Sequence, residues 1–303
     1  MNQTRCLACG GTLADDPAVV APDRMHGVPG TWAVHACLTC GSGTTLPLAS
    51  DSDLADFYPD TYAPFDVPRG ALARAMGLLQ RARDRRFPLS TMADGRPGTL
   101  LDVGCGRGDL AAAWIASGWR VLGVEPAPDA ARIADSRGAQ IVGSTLADAR
   151  VQTGTLDAIV FRHSLEHVTD PRADLVRARD HLRPGGRLAV ILPNWGSWQR
   201  RAFGEHWFPL ELPRHRTHFT AVGLRSAIGA AGFDEIEIRP ATPFITTTWS
   251  LQFRLFDRLV TRSGAALLAG YAVSLPVSLA SALLDARLGG GDFLHAAARR
   301  RVA

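Results

Sequence analysis

From Thr99 onward the apolar positions alternate between two periods. Short apolar runs bounded by turn residues predict buried parallel strands near 99–103, 120–125, 139–142, 156–162 and 188–193. Between them, apolar positions three and four apart predict helices near 109–117, 129–137 and 172–182. Pro184-Gly185-Gly186 predicts a turn ahead of the fifth strand. A helix near 221–231 leads through Gly232 to a strand at Glu235–Arg239, and Phe293–Arg299 reads as a last strand. Such alternation is the pattern of an α/β fold, with helices on both faces of a mostly parallel sheet.

The flanking segments break this rhythm. Residues 1–50 carry two cysteine pairs, Cys6/Cys9 and Cys37/Cys40, each followed by glycine. Thiolates three apart on a tight turn converge on one ion, so a closed four-thiolate zinc site is expected, structural rather than catalytic. Residues 51–98 read as a linker and cap. They hold a proline-broken aromatic stretch, Phe57 to Tyr62, and a basic helix over 71–86. That helix is either a solvated face or a contact for anionic groups. Residues 99–240 form the core, and 292–303 supply the last strand and a basic tail.

Residues 241–291 read as an apolar insertion before that strand. In its first part Trp249, Phe253 and Phe256 fall on one helical face. From Ser263 to Leu284 there is no charged side chain, a length that could span a bilayer. Pro276 interrupts it, and both ends of the insertion must return to one sheet, so a single crossing is excluded. The expectation is a helical hairpin: a cap over the site, a homodimer face, or peripheral membrane contact through 249–284.

Composition adds limits. With 46% hydrophobic and 20% charged residues, the 303-residue chain is globular. A net charge of +4 does not argue for nucleic acid, and the cysteine segment offers only Arg5 and Arg24 to grip phosphates. No apolar leader follows Met1, so a cytoplasmic location is expected, with docking at the inner membrane face as the alternative.

The candidate chemistry starts at Leu100-Leu101-Asp102-Val103, which runs into Gly104, Gly106 and Gly108 before a helix. A glycine turn between strand and helix lets a ligand approach backbone. A dinucleotide fingerprint needs its third glycine where Asp109 stands, so a dehydrogenase is disfavoured. The next strand ends in Glu125, 19 residues after Gly106, where a carboxylate can accept both ribose hydroxyls. Loop and spacing together resemble class I S-adenosylmethionine (SAM) methyltransferases, the seven-strand Rossmann-like family. The resemblance implies that Glu125 holds the ribose of SAM. Asp102 would organise the loop and the methionine end. Gly104, Cys105, Gly106, Gly108, Pro126, Ser144, Arg162 and His163 would complete the cofactor site. The family often has an acid just after the third strand; here Ser144 and Thr145 stand there, with Asp148 further on.

The second signal is His163-Ser-Leu-Glu166-His167-Val-Thr-Asp-Pro171 after the fourth strand, followed by Leu182-Arg-Pro-Gly-Gly186. It resembles ubiquinone-biosynthesis-type O-methyltransferases and bacterial glycan-modifying relatives, some of which also carry N-terminal zinc knuckles. His163, Glu166, His167, His215 and His218 are the catalytic candidates. A histidine can take the proton that an attacking hydroxyl must lose. Some relatives bind a divalent ion through Glu, two spacers and Glu-His. Here His163 replaces the first Glu, which weighs against a catalytic ion at His163, Glu166, His167 and His218.

The expected function is therefore SAM-dependent O-methylation of a sugar-like or natural-product acceptor. The rivals are C-methylation of a nucleotide sugar, methylation of a lipid- or quinone-like acceptor at a membrane, and a SAM-sensing or nucleic-acid-binding module.

Overall fold

A computed structural model describes residues 5–50, 53, 57–58, 97–241, 244–258, 276, 280, 283–284 and 290–302. The basic helix expected over 71–86 lies outside the described residues, as does nearly all of the charge-free run 263–284.

Two sheets organise the chain. The larger starts with β4 (Thr99–Val103), β5 (Arg120–Val124), β6 (Gln140–Gly143) and β7 (Leu156–Arg162). It continues through β8 (Leu182–Pro193), β10 (Phe233–Ala241) and β11 (Phe293–Arg300). Its order is β10-β11-β8-β7-β4-β5-β6. The five strands from β8 to β6 are parallel, whereas β11 runs antiparallel to both β8 and β10. Parallel neighbours need helical crossovers. These are α1 (Ala111–Ala116), α2 (Pro128–Ser136) and α3 (Pro171–His181). Asp170 caps α3 by accepting the Ala173 N–H, and Pro171 opens its first turn. The central strands are apolar on both faces: Leu100, Leu101, Ile159, Val160 and Phe161 are fully buried.

The expected β10–β11 hairpin forms, with Ala241 opposite Phe293 at its tip. One expectation fails: Pro184-Gly185-Gly186 lies inside β8. Leu156 pairs with Leu182, but Ala158 pairs with Arg187, so these residues form a bulge within the ladder and not a turn ahead of it.

The insertion opens as α6 (Phe244–Phe256); Trp249 and Phe253 of the expected apolar face pack against Phe208, and burial extends beyond that face onto polar positions. Thr246, Thr247, Thr248, Ser250 and Gln252 are buried with Phe253, while Phe256 is 55% exposed. Hydrogen bonds explain the buried hydroxyls. Ser250 accepts the Phe208 N–H at 2.9 Å, and Thr247 donates to Gln199 at 3.0 Å. Satisfied hydroxyls pack inside at little cost. No helix among the described residues is long and apolar enough to cross a membrane.

The smaller sheet holds β1 (Val19–Ala21), β2 (Trp32–Ala36), β3 (Gly43–Leu46) and β9 (Thr217–His218). Its fourth strand comes from far along the chain. β9 sits between α4 (Trp198–Phe203) and α5 (Ala221–Ala230), so the cysteine-bearing segment is laced onto the loop that follows β8.

Candidate active site

The glycine loop leaves β4 at the carboxyl edge of the parallel sheet, where such sheets bind ligands. Gly104 and Gly108 have positive φ, at 75° and 70°. Neither tolerates a side chain. A Cβ on Gly104 would lie 2.6 Å from Ser164 Cβ, and one on Gly108 would lie 2.9 Å from Ala134 Cα. The loop thus packs tightly between the end of β7 and α2. Cys105 turns inward against Gly123, and burial, aided by Asp102 and Glu125, pushes its thiol up.

Glu125, 8% exposed, ties the loop to the end of β5. One oxygen accepts the Gly106 N–H at 2.8 Å and the other the Ala127 N–H at 2.9 Å. Burial raises its carboxyl, and those two N–H groups oppose the rise. Asp102 is fully enclosed beside it. Burial pushes Asp102 up to about 7; the Arg162 guanidinium opposes this and the Glu125 carboxylate adds to it. Pro126 and Ser144 are exposed at the tips of β5 and β6. Asp148 folds back onto the end of β6, accepting the Thr145 N–H at 2.6 Å and the Ser144 N–H at 3.3 Å. An acid therefore does stand after the third core strand, supplied from four residues further along.

Beyond β7 the chain turns at His163, whose φ of 55° is a left-handed conformation rare outside glycine. The turn leaves the His163 side chain 40% exposed, with its ring edge-on to Phe293 at 5.0 Å. Its Nδ1 is 3.7 Å from Glu166. Glu166 is 1% exposed, and among the described residues neither carboxylate oxygen has a hydrogen-bond partner. Burial would raise this carboxyl, but His163, His167 and His215 around it hold it below the usual range.

His167 and His215 meet edge to face, with ring centres 4.6 Å apart. Nδ1 of His215 donates to the Pro209 carbonyl at 2.9 Å, and its Nε2 lies 3.5 Å from a Glu211 carboxylate oxygen. Nδ1 of His167 is engaged by Tyr58 Oη at 2.8 Å and the Arg214 carbonyl at 3.2 Å. Burial pushes His167 down to about 4, with His215 adding and Glu166 opposing.

The structure thus brings Glu166, His167 and His215 together, with His163 at the rim. His218 is turned elsewhere: its Nε2 is 2.9 Å from Thr45 Oγ1, and its ring lies against Trp195. Tyr58 and Thr45 join the site's surroundings without having been singled out in the sequence, whereas Asp148 had been noted beyond the third strand. For Tyr58 a signal existed in the proline-broken aromatic stretch.

Two groups of side chains suit a cation. Ligand atoms of Glu166, His167 and His215 lie within 4.8 Å of one another, so His215 replaces His218 in the expected set. Cys6, Cys9, Cys37 and Cys40 meet the same limit. Cys6 and Cys40 sulfurs are 3.7 Å apart, and those of Cys9 and Cys37 are 3.5 Å apart. Zinc–sulfur bonds of about 2.3 Å in a tetrahedron need separations close to these. Burial, with Cys40 and Cys37 adding, pushes Cys9 up to about 11. At Cys37 burial is outweighed by the backbone N–H groups of Cys40 and Thr39, which bring it down to about 7. Four crowded thiols fit a dication far better than they fit one another.

Residues 71–238, more than half of the chain, match a family model described as a methyltransferase domain. A ubiquinone biosynthesis O-methyltransferase of Xanthomonas oryzae pv. oryzae (strain PXO99A) is 28% identical over 178 residues, 52% of this chain and 71% of that protein. Among solved structures, a SAM dependent methyltransferase from Archaeoglobus fulgidus superposes with a TM-score of 0.51 at 18% identity, covering 74% of this chain and 94% of that one. A geranyl diphosphate methyltransferase in complex with SAM gives 0.52 at 19% identity, covering 80% and 95%. At such identities the structures speak for the fold, and the family model speaks for descent. The chain belongs to the class I SAM-dependent methyltransferases.

Proposed function

We propose that the protein transfers the methyl group of SAM to a hydroxyl of a small acceptor, sugar-like or a natural product, bound over Glu166. One observation carries this reading: a buried carboxylate that has no hydrogen-bond partner within normal reach among the described residues, ringed by three histidines, His163 at 3.7 Å, beside the glycine loop. Such a group costs stability until a donor reaches it. A hydroxyl pointing at Glu166 supplies that donor. Asp102, the loop from Gly104 to Gly108 with Cys105 and Gly106, and Glu125 would hold SAM. Pro126, Ser144, Arg162 and His163 would border it.

In the transfer, the acceptor oxygen attacks the methyl carbon in line. The oxygen–carbon bond forms as the carbon–sulfur bond breaks, and the bonding pair stays on sulfur, giving neutral S-adenosylhomocysteine. Glu166 takes the hydroxyl proton. His163, 3.7 Å away and open to solvent, carries it out. His167 and His215 shape the pocket. The four cysteines would hold a structural zinc ion that stiffens the small sheet.

A second reading assigns Glu166, His167 and His215 to a divalent ion, favoured by their convergence within 4.8 Å. The ion would lower the hydroxyl's pKa. For the acceptor, the Xanthomonas relative's name keeps a quinone-like phenol as the alternative.

The test is transfer of a labelled methyl from SAM into fractionated extract of the source cells, with Glu166→Gln as control. Label in the aqueous metabolite fraction, reduced at least about 100-fold by Glu166→Gln, supports the first reading. Label in the organic fraction moves the acceptor to a lipid or quinone. Full activity in Glu166→Gln refutes its role as base. Loss of transfer on chelation, restored by one added metal while the cysteine-bound zinc stays in place, selects the metal reading.

A further inference from the structure

The cysteine knuckles and the histidine pocket are separate clusters, yet one strand grips both. β3 begins three residues after Cys40 and forms its main-chain ladder with β9, pairing Gly43 with His218 and Thr44 with Thr217. Successive side chains on a strand point to opposite faces. Thr44 faces the knuckles: its hydroxyl accepts the Leu7 N–H, from between Cys6 and Cys9, at 3.4 Å. Thr45 faces the other way, into the histidine loop. Its N–H donates to the Arg216 carbonyl at 3.0 Å and its hydroxyl to the His215 carbonyl at 2.6 Å. Both threonines are 2% exposed.

The second contact of the Thr45 hydroxyl fixes a proton. A carbonyl can only accept, so the single hydroxyl proton goes to His215. The hydroxyl lone pair is then left for His218 Nε2 at 2.9 Å, and that nitrogen must carry hydrogen. His218 Nε2 is thereby committed as a donor to Thr45 and is not available there as a base. On its far side the same loop is held by Glu166, whose backbone carbonyl accepts the N–H of Arg216 at 2.9 Å and of Thr217 at 3.1 Å. The loop carrying His215 is clamped between the cysteine-bearing segment and the residue whose side chain His215 faces.

We infer that Thr45 is a positioning residue through which the four-cysteine site holds the 215–218 loop in place, so that metal at the cysteines orders the pocket around Glu166. This rests on the reading of Glu166, His167 and His215 as the acceptor site, but the ordering itself is measured without any acceptor. The experiment is amide hydrogen exchange on the full chain, wild type, Thr45→Val and Thr45→Ser, together with side-chain nitrogen resonances of labelled histidines. Valine keeps shape and strand preference while losing the hydroxyl.

In Thr45→Val, exchange protection over 215–218 should fall about tenfold, the worth of one lost buried hydrogen bond. The His218 Nε2–H signature should change, while β4 protection and the Kd for SAM stay at wild-type values. Thr45→Ser should restore the loop. Stripping the cysteines with a thiol-directed chelator should lower loop protection with β4 again unchanged. Unchanged loop protection in Thr45→Val, or an equal fall in β4, overturns the positioning role. Loss of protection in β3 alone on stripping overturns the metal dependence. Should Glu166→Gln retain full transfer while these exchange effects hold, the acceptor reading falls and the clamp stands.

Discussion

Glu125 gives the sharpest test of the proposal that the glycine loop binds SAM. Its two oxygens each already accept one backbone N–H, from Gly106 and Ala127, and each keeps a lone pair for a ribose hydroxyl. Glu125→Ala removes those ribose acceptors and unties the loop from β5. Hydrogen bonds to a charged group contribute roughly 1.5–3 kcal/mol each, partly recovered when water replaces them. The expected net loss is about 1–3 kcal/mol, or about 5- to 150-fold in Kd. Glu125→Gln preserves volume but turns an NH2 toward one of the backbone N–H groups, so it should bind SAM nearly as poorly as the alanine variant. Calorimetric titration with SAM and with S-adenosylhomocysteine separates the contributions. Both ligands carry the ribose and only SAM carries the sulfonium, so both should lose the same factor. A loss confined to SAM would assign Glu125 to the charge and not the ribose. Kd values within twofold of wild type for both variants, alongside a lowered melting temperature, would make Glu125 a loop strut and refute the ribose assignment.

Three other outcomes are expected. Asp102, held at about 7, binds its proton more tightly in the folded chain than in the unfolded one. Its contribution to stability is therefore fully present below the ordinary carboxylate range and is lost as pH rises through about 7. SAM is cationic and favours the charged carboxylate, so SAM affinity should rise between pH 6 and 8 by at most about tenfold per unit and be flatter in Asp102→Asn; equal slopes would remove Asp102 from the site. Asp23 and Arg214 form a buried pair, with side chains 1% and 0% exposed and contacts of 2.8 and 2.9 Å. Asp23→Ala leaves the Arg214 guanidinium with Glu211 at 3.2 Å but removes two of its charged contacts and the acceptor for the Met25, His26 and Val28 N–H groups, so it should cost about 3–5 kcal/mol in denaturant unfolding, and a loss below about 1 kcal/mol would contradict the burial. Freshly purified protein should contain one zinc ion per chain, lost on Cys40→Ser with a lower melting temperature; metal analysis finding none would reject the zinc site.

What could be read from the sequence was what local periodicity governs. The core strands carry unbroken apolar runs such as Ala158–Phe161, because both faces are covered, and they stood out accordingly. Pro184-Gly-Gly186 was misjudged for a physical reason. Proline and glycine mark any break in regular backbone, and a bulge inside a ladder breaks it as a turn does. The buried hydroxyls of α6 were hidden because hydropathy assigns Thr247 and Ser250 to water, whereas here Gln199 and the Phe208 N–H satisfy them.

The site divides along the same line, and the division has a physical consequence. Asp102, Gly104, Gly106 and Glu125 lie within one strand–helix–strand unit, so their spacing alone proposed them as one cluster, and the fold brings Glu125 onto Gly106. The pocket around Glu166 is assembled from segments far apart in sequence. Tyr58 reaches His167 from 109 residues away, and Thr45 reaches His215 from 170. No spacing rule links such residues, because what joins them is the pairing of β3 with β9. That pairing also decided between two histidines three positions apart on one loop: it turns His218 toward Thr45 and leaves His215 to face Glu166. Cofactor binding should therefore survive most changes in the first fifty residues, whereas acceptor recognition should not. A chain carrying Thr44→Val and Thr45→Val is expected to bind SAM with wild-type affinity in calorimetry while losing methyl transfer to the labelled extract fraction. Equal loss of both would mean that the small sheet supports the whole fold and not the pocket alone.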